Sequence, residues 1–294
     1  MVFDFLIVGL SIGIVYGIVA LGISLIYSGL DIVHFAHGEI FMLGAFIGLV
    51  IFNTVGLPYP VALILAMIAT AVIGMIIERI FYRRLTRSGG GYTVAGMGMI
   101  IVGFGMAVIL QNIAFLTWGA TSFGYDPIYG PPVELGGIAL PRSYLWIFAV
   151  AITLMVILNL FLKRTKYGLA VRAVAANKDI ASLMGINVPV MISVIFGVAC
   201  GLGAAGGVLI GPINFVSVEM GYLMLIKAFS AAVIGGFGSL PGAILGGLLL
   251  GVAETFGAAY ISGSHKDIYA FILLIVVLMI RPSGLMGVVV KVKA

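Results

Sequence analysis

Repeated apolar runs of about 20 residues constrain the fold of this chain more than any other feature. A helix needs about 20 residues to cross the roughly 30 Å hydrocarbon core of a bilayer. Such runs occupy residues 5–28, 35–52, 60–80, 94–117, 143–162, 190–210 and 268–281. A longer apolar stretch, 220–260, exceeds one helix and is interrupted by glycines and a proline between residues 235 and 242. We interpret it as two segments, the first of which could be a re-entrant half helix.

The small number of charged residues supports this interpretation. Charged residues make up 9% of the 294 positions and hydrophobic residues 63%, whereas a soluble domain is roughly 25% charged. This composition excludes a soluble enzyme, a secreted disulfide scaffold and a disordered chain. It predicts an all-α polytopic membrane protein with about eight or nine transmembrane helices. Residues 1–294 are expected to form a single transmembrane domain.

The basic residues predict how the chain is oriented in the membrane. Twelve of the 15 lie in three clusters, which the positive-inside rule places in the cytoplasm. The loop at about 118–142, with one arginine and four prolines, then lies outside, and so does the N-terminus. An outside N-terminus and a cytoplasmic C-terminus require an odd number of crossings, which favours nine. The clusters are Arg79, Arg83, Arg84 and Arg87; Lys163, Arg164, Lys166, Arg172 and Lys178; and Arg281, Lys291 and Lys293.

Glycine is unusually frequent, with 42 residues of 294. Many are spaced by four within apolar runs, as in Gly9, Gly13 and Gly17 or Gly247 and Gly251. Small residues one turn apart let helix backbones approach closely in a membrane, so we expect tight helix packing. The segment Gly235–Gly242 has a second interpretation, as a hinge or broken helix beside a transport path.

A polar group separates the first two apolar runs. It contains Asp31, His34, His37 and Glu39. A polar helix entrance is the simplest interpretation, and a metal site is an alternative. If Glu39 lies within the membrane, it is expected to face the bundle interior or a pathway.

Other charged residues interrupt the later apolar runs. Glu254 lies among small and apolar residues and is expected to be paired or to line water, and Lys227 could pair with an acid. Glu78 and Arg79 end the third run and are interpreted as interfacial. No catalytic set is present, and without a phosphate-binding P-loop the chain is not expected to hydrolyse ATP itself.

The loop at about 163–190 carries an amphipathic pattern. Its apolar residues follow helical spacing, and Gly185 suits a helix end. Such a helix could lie on the membrane surface or dock into a partner's groove, and the pattern alone does not separate the two. The apolar positions are Leu169, Ala173, Ala176, Ile180 and Leu183.

Ordered motifs along nearly the whole chain resemble the permeases of ABC importers, specifically the branched-chain amino-acid permease family of the LivH type. The loop matches that family's coupling loop through Gly168, Arg172-Ala173 and Ala181-x-x-x-Gly185-Ile186. The remaining motifs are Tyr16-Gly17-Ile18-Val19-Ala20-Leu21-Gly22, Phe35-Ala36-His37-Gly38-Glu39, Lys227-Ala228-Phe229, Gly235-Gly236-Phe237-Gly238-Ser239, Pro241-Gly242-Ala243, Glu254 and Arg281-Pro282-Ser283-Gly284-Leu285. His34 stands where the family usually has Asn.

The resemblance implies an importer subunit in the plasma (inner) membrane. Its partners would be a second, homologous or identical permease subunit, two cytoplasmic ATPases that bind ATP and Mg, and an extracytoplasmic binding protein that delivers branched-chain amino acids. The chain itself would bind no cofactor, metal or nucleic acid. The residues that would couple to the ATPases are Gly168, Arg172, Ala173, Ala181 and Gly185. Those that would line or gate the path are His37, Glu39, Gly235, Gly236, Gly238, Pro241 and Glu254.

Two alternatives stay open. One is an ABC permease for another small solute such as urea, an amide or a different amino acid. The other is an ion-coupled secondary transporter or channel with Glu39 and Glu254 as relay carboxylates.

Overall fold

Helices account for most of the computed structural model, which describes residues 2–87, 92–126, 128, 130–135 and 138–287. Lys291 and Lys293 of the last basic cluster lie outside the described residues. The helices are α1 (Val2–Leu30), α2 (His37–Leu49), α3 (Tyr59–Ile77), α4 (Arg83–Arg87), α5 (Tyr92–Trp118), α6 (Arg142–Arg164), α7 (Lys166–Ala176), α8 (Lys178–Leu183), α9 (Val188–Asn214), α10 (Met220–Gly235), α11 (Leu240–Tyr260) and α12 (Lys266–Ile280).

The apolar runs account for this architecture, since every run contains a helix. In the described part of the chain, seven helical segments are long and apolar enough to cross a membrane. Helices α10 and α12 are shorter, at 16 and 15 residues. The predicted all-α polytopic membrane fold is confirmed, while nine complete crossings stay a prediction.

Two of the membrane helices continue as π-helix. Val50–Thr54 extends α2, and Glu78–Tyr82 joins α3 to α4. Two short strands, β1 (Val133–Leu135) and β2 (Ile138–Leu140), pair antiparallel in the segment between α5 and α6.

The centre of the bundle is formed by α1, α2 and α9, whose residues are mostly buried. Helices α2 and α9 run parallel, since Gly44 lies against Ala204 and Gly48 against Val208. In contrast, α3, α5 and α6 carry many exposed apolar side chains, as expected of helices that face lipid. Of the polar motif residues, His37 and Glu39 lie on α2, Lys227 on α10 and Glu254 on α11.

The predicted glycine packing is confirmed between α1 and α11. These helices run antiparallel, with Gly9 beside Gly251 and Gly13 beside Gly247. A β-carbon on Gly13 would stand 2.7 Å from the carbonyl oxygen of Gly247, closer than the two atoms can pack. The small-residue spacing thus sets the distance between two backbones.

Candidate functional site

His37 begins α2 in the interior of the bundle, where it is fully buried. Its ring fits between α1 and α9 because both helices have glycine there. A β-carbon on Gly22 would stand 2.5 Å from Nε2 of His37, and one on Gly203 would stand 3.3 Å from it. The predicted path residue His37 therefore packs among three helices.

His34 lies in the turn before α2 and is also fully buried. Its Nδ1 lies 2.7 Å from the hydroxyl of Tyr82, and its ring packs edge-on against Phe196. Burial, followed by the proximity of His37, lowers the pKa of His34. The contact joins the α1–α2 turn to Tyr82, at the end of the π-helical segment that follows α3.

The structure does not support the metal alternative for this polar group. Among the residues that the structure describes, no three His, Cys, Asp or Glu side chains are grouped closely enough to hold a metal. Asp31 points elsewhere: its carboxylate accepts a hydrogen bond of 2.6 Å from Nζ of Lys178 in α8. His34, His37 and Glu39 are buried but do not form such a group.

Glu39 lies in the first turn of α2, where that helix meets the first turn of α10. Gly38 and Gly221 bring the two helices into contact, and a β-carbon on Gly221 would stand 2.7 Å from Oε2 of Glu39. Glu39 is only 4% exposed, and its Oε2 has no hydrogen-bond partner among the described residues. The sequence expectation of an interior carboxylate is met.

A buried ionic network links α1, α10, α11 and α12. The ammonium of Lys227 lies 2.5 Å from Oε1 of Glu254 and 2.8 Å from Oδ1 of Asp267. Tyr16 donates a 2.9 Å hydrogen bond to Oε2 of Glu254. Lys227, Glu254 and Tyr16 are all at most 8% exposed. The expected pairing of Glu254 is confirmed, with Lys227 as its partner.

The glycine break joins α10 and α11 as a tight antiparallel hairpin. Gly235 packs on Gly242, and Gly246 packs on the carbonyl of Ala231. Gly236 and Gly238 have φ angles of 104° and 77°, which L side chains rarely adopt.

Both sides of this break are capped. The hydroxyl of Ser239 accepts a hydrogen bond from the Gly242 amide, and Pro241 occupies the first turn of α11. The closing motif of the sequence caps α10, because the amides of Leu285 and Met286 donate to the carbonyls of Ile234 and Gly235 at 2.9 Å. The break therefore ends in a closed, hydrogen-bonded turn.

Sequence reasoning missed a second buried network, at the end of α3. Glu78 is 2% exposed, so it is enclosed by protein, while its interfacial depth in the membrane stays a prediction. Arg83 forms a bidentate ion pair with the Glu78 carboxylate. Its Nε lies 3.2 Å from Oε1 and its Nη2 lies 3.1 Å from Oε2. The same guanidinium donates to Oγ of Ser193 at 2.6 Å, and that hydroxyl donates to Glu78. The partner in α9 is 115 residues from Glu78, too far for a local sequence pattern to indicate.

Replacing Ser193 by alanine is expected to destabilise the folded protein by about 1.5–3 kcal/mol, because the change removes hydrogen bonds to two charged groups. The thermal unfolding midpoint in detergent measures the loss. Ser28→Ala is the matched control, since within the described part of the chain that hydroxyl donates only to the carbonyl of Leu25. Equal midpoint shifts for the two variants would contradict the network's role.

The amphipathic loop forms two helices rather than the single one that was predicted. Asn177 is extended, and its side chain accepts a hydrogen bond from the Ile180 amide, which ends α7 and starts α8. Gly185 stops α8 as predicted, with φ of 83° and with the Ile186 amide bonded to the Ala181 carbonyl. At the other end, the buried Gly168 packs on the Phe161 carbonyl at the α6–α7 corner.

The exposed surface of this helix pair carries several large apolar side chains. Val171, Val174 and Ala181 are buried against the bundle, whereas Arg172 points to the outside. The exposed large apolar side chains of α7, α8 and the following turn are Tyr167, Leu169, Ile180, Leu183 and Met184, each at least 59% exposed. Among the predicted coupling residues, Gly168 and Ala181 are buried, Ala173 is half-buried, and Arg172 and Gly185 reach the surface.

Comparisons with known proteins agree with these motifs. The high-affinity branched-chain amino acid transport system permease protein BraD of Pseudomonas aeruginosa is 37% identical, over 95% of this chain and 94% of its own. The corresponding protein LivH of Escherichia coli K12 is 32% identical, over 95% of this chain and 93% of its own. PsaBC from Streptococcus pneumoniae in complex with Fab shares the fold, with 17% identity and a TM-score of 0.50 over 95% of this chain and 91% of that chain.

A family model described as "Branched-chain amino acid transport system / permease component" matches residues 5–279, which include both buried networks, the glycine break and the α7–α8 pair. The chain therefore belongs to the family of permease components of branched-chain amino acid transport systems.

Proposed function

We propose that this chain is the membrane permease of an ATP-driven importer that moves branched-chain amino acids received from an extracytoplasmic binding protein. It is a transport subunit, and ATP is hydrolysed on two separate cytoplasmic subunits. A second permease subunit completes the path. Support comes from the family match over residues 5–279 and from relatives named as high-affinity branched-chain amino acid permeases.

The observation that carries the coupling part of this proposal is the exposed apolar tip of α8. Leu183 and Met184 are 86% and 78% exposed, although they lie in a polar segment between two membrane helices. Large apolar side chains at such a tip are suited to a hydrophobic groove on a partner. Under the proposed orientation, with the N-terminus outside, α7 and α8 lie in the cytoplasm, where the ATPase subunits are.

The path is proposed to run beside the buried polar groups on α2, α10 and α11. It includes His37 and Glu39, with the Gly235–Gly242 hairpin as the element that gates it. Charged side chains inside a membrane bundle are costly and commonly mark a substrate pathway. Glu254 contributes to the path through its ion pair with Lys227, which joins α11 to α10.

The whole complex, reconstituted in proteoliposomes with binding protein, tests the transport function. Uptake of leucine, isoleucine and valine is expected to require ATP and both ATPase subunits. Uptake that persists without the ATPases would favour the ion-coupled alternative. A complex that takes up urea or an amide, but no branched-chain amino acid, would contradict the substrate assignment.

Replacing Leu183 by aspartate is expected to lower uptake and ATPase co-purification at least about tenfold, because a charge at the docking tip must be desolvated on binding. Ser182→Asp, which adds the same charge to the neighbouring exposed position, is the matched control. Normal uptake by the Leu183 variant would contradict docking through this tip.

Arg172→Glu tests the exposed charge of α7 in the same assay, and normal uptake by this variant would count against a coupling role for Arg172.

A further inference from the structure

The meeting point of α2 and α10 combines two helix N-termini with one buried carboxylate. Glu39 lies in the first turn of α2, and Gly221 in the first turn of α10 lies directly against its Oε2. Glycine at position 221 permits this approach, since a β-carbon there would stand 2.7 Å from Oε2 and 2.9 Å from the carbonyl oxygen of Gly38. The carboxylate is thus aimed at the start of α10.

The amides at the start of α10 form the second half of the junction. The first amides of an α-helix have no partner within the helix, and its N-terminus carries a partial positive charge of about half a unit. Glu219, the residue before α10, makes no side-chain cap hydrogen bond to them. The first turn of α10 therefore presents hydrogen-bond donors that suit a carboxylate ligand.

The net charge of the junction favours a zwitterion over an ion. Two helix N-termini supply partial positive charge that offsets the negative charge of Glu39. Oε2 of Glu39 has no hydrogen-bond partner among the described residues, so the carboxylate retains an acceptor for a donor from outside the chain. A donor and an acceptor side by side match the adjacent ammonium and carboxylate groups of an α-amino acid.

Two exposed apolar side chains follow Gly221 in the same turn of α10. Tyr222 and Leu223 are 59% and 49% exposed. A ligand that reaches Glu39 and the helix start would therefore approach beside an exposed apolar turn. Glu39 itself is 4% exposed, so this ligand would be largely withdrawn from water.

We propose that the junction of α2 and α10 binds the head group of the transported amino acid. The ammonium is held by the carboxylate of Glu39 and the carboxylate by the first-turn amides of α10 at Gly221 and Tyr222. This inference rests on the proposed import of amino acids, and it names the part of the chain that recognises them.

Binding of three probes to the purified complex, without binding protein, tests the proposal. Leucine carries both charges, 4-methylpentanoate lacks the ammonium, and 3-methylbutylamine lacks the carboxylate. With wild-type protein, loss of either charge is expected to weaken binding by at least about tenfold, as for a charge-assisted hydrogen bond. Equal affinity for leucine and both analogues would overturn the proposal.

The Glu39→Gln variant locates the ammonium contact. It is expected to lower leucine affinity about tenfold while leaving 4-methylpentanoate affinity within about twofold, because only leucine has the group that Glu39 holds. Glu219→Gln, which removes an exposed carboxylate next to the same helix, should leave the ratio of the two affinities unchanged. If the Glu39→Gln variant loses affinity for leucine and for 4-methylpentanoate equally, Glu39 has a structural role and the assignment is overturned.

These outcomes are separable from failure of the proposed function. If the wild-type complex shows ATP-dependent leucine uptake but binds the three probes alike, only the head-group site is wrong. If ATP-dependent uptake of branched-chain amino acids is absent, the proposed function is wrong. Should the Glu39→Gln complex fail to assemble, the wild-type probe series still decides the head-group site.

Discussion

Replacing Lys227 by methionine is expected to destabilise the folded protein by about 3–5 kcal/mol, the cost of leaving a buried charge without its partner. Methionine has a similar length but no charge. Glu254, which is 6% exposed, would keep only the 2.9 Å hydrogen bond from Tyr16. The reduced stability also lowers the amount of assembled complex.

Equilibrium unfolding of the purified protein in detergent measures this change. The double variant Lys227→Met with Glu254→Gln should recover much of the lost stability, because neither partner then carries an unpaired buried charge. Asp267→Asn is the control within the network, since this carboxylate is half exposed and its loss should cost less. A double variant no more stable than Lys227→Met alone would show that the charge pair is not the cause.

Replacing Gly246 by valine is expected to separate α10 from α11 and to cost about 3 kcal/mol or more, at the upper end of overpacking effects. The β-carbon would overlap the carbonyl oxygen of Ala231, and a backbone oxygen cannot move aside without the helix. The displacement would also break the Gly235–Gly242 contact in the same hairpin.

Gly105→Val provides the matched control for this change. Gly105 lies on an exposed part of α5, and a β-carbon there meets no atom within 4 Å. Thermal unfolding in detergent should show a large loss for the Gly246 variant and little for the Gly105 variant. Similar losses would indicate that any valine in a membrane helix is harmful and that the close contact is unimportant.

Periodic and compositional patterns predicted the parts of the structure that local sequence determines. Apolar runs marked the helices because burial in lipid requires a continuous apolar stretch. Glycines spaced by four marked the contact between α1 and α11 because only helical periodicity places them on one face. The pairing of Glu254 followed from the cost of an isolated charge in an apolar setting.

Features that depend on distant residues were not predictable in this way. The Glu78–Arg83–Ser193 network joins the π-helical segment and α4 to α9, and nothing near Glu78 in the sequence marks its partner in α9. The division of the coupling loop at Asn177 depends on one side-chain cap that competes with the helical periodicity around it. The pairing of Glu39 with the start of α10 likewise requires the three-dimensional arrangement of Gly38 and Gly221.

The capping of α10 by the closing motif has a consequence for biosynthesis. The carbonyls of Ile234 and Gly235 are bonded by amides of Leu285 and Met286, which the ribosome makes only after α11 and α12. Until then the last carbonyls of α10 lack two of their hydrogen bonds, and such unpaired carbonyls at a helix end need partners from elsewhere. The hairpin that joins α10 to α11 is therefore completed only after α12 has been made, so a nascent chain halted before residue 285 would lack the cap at the end of α10.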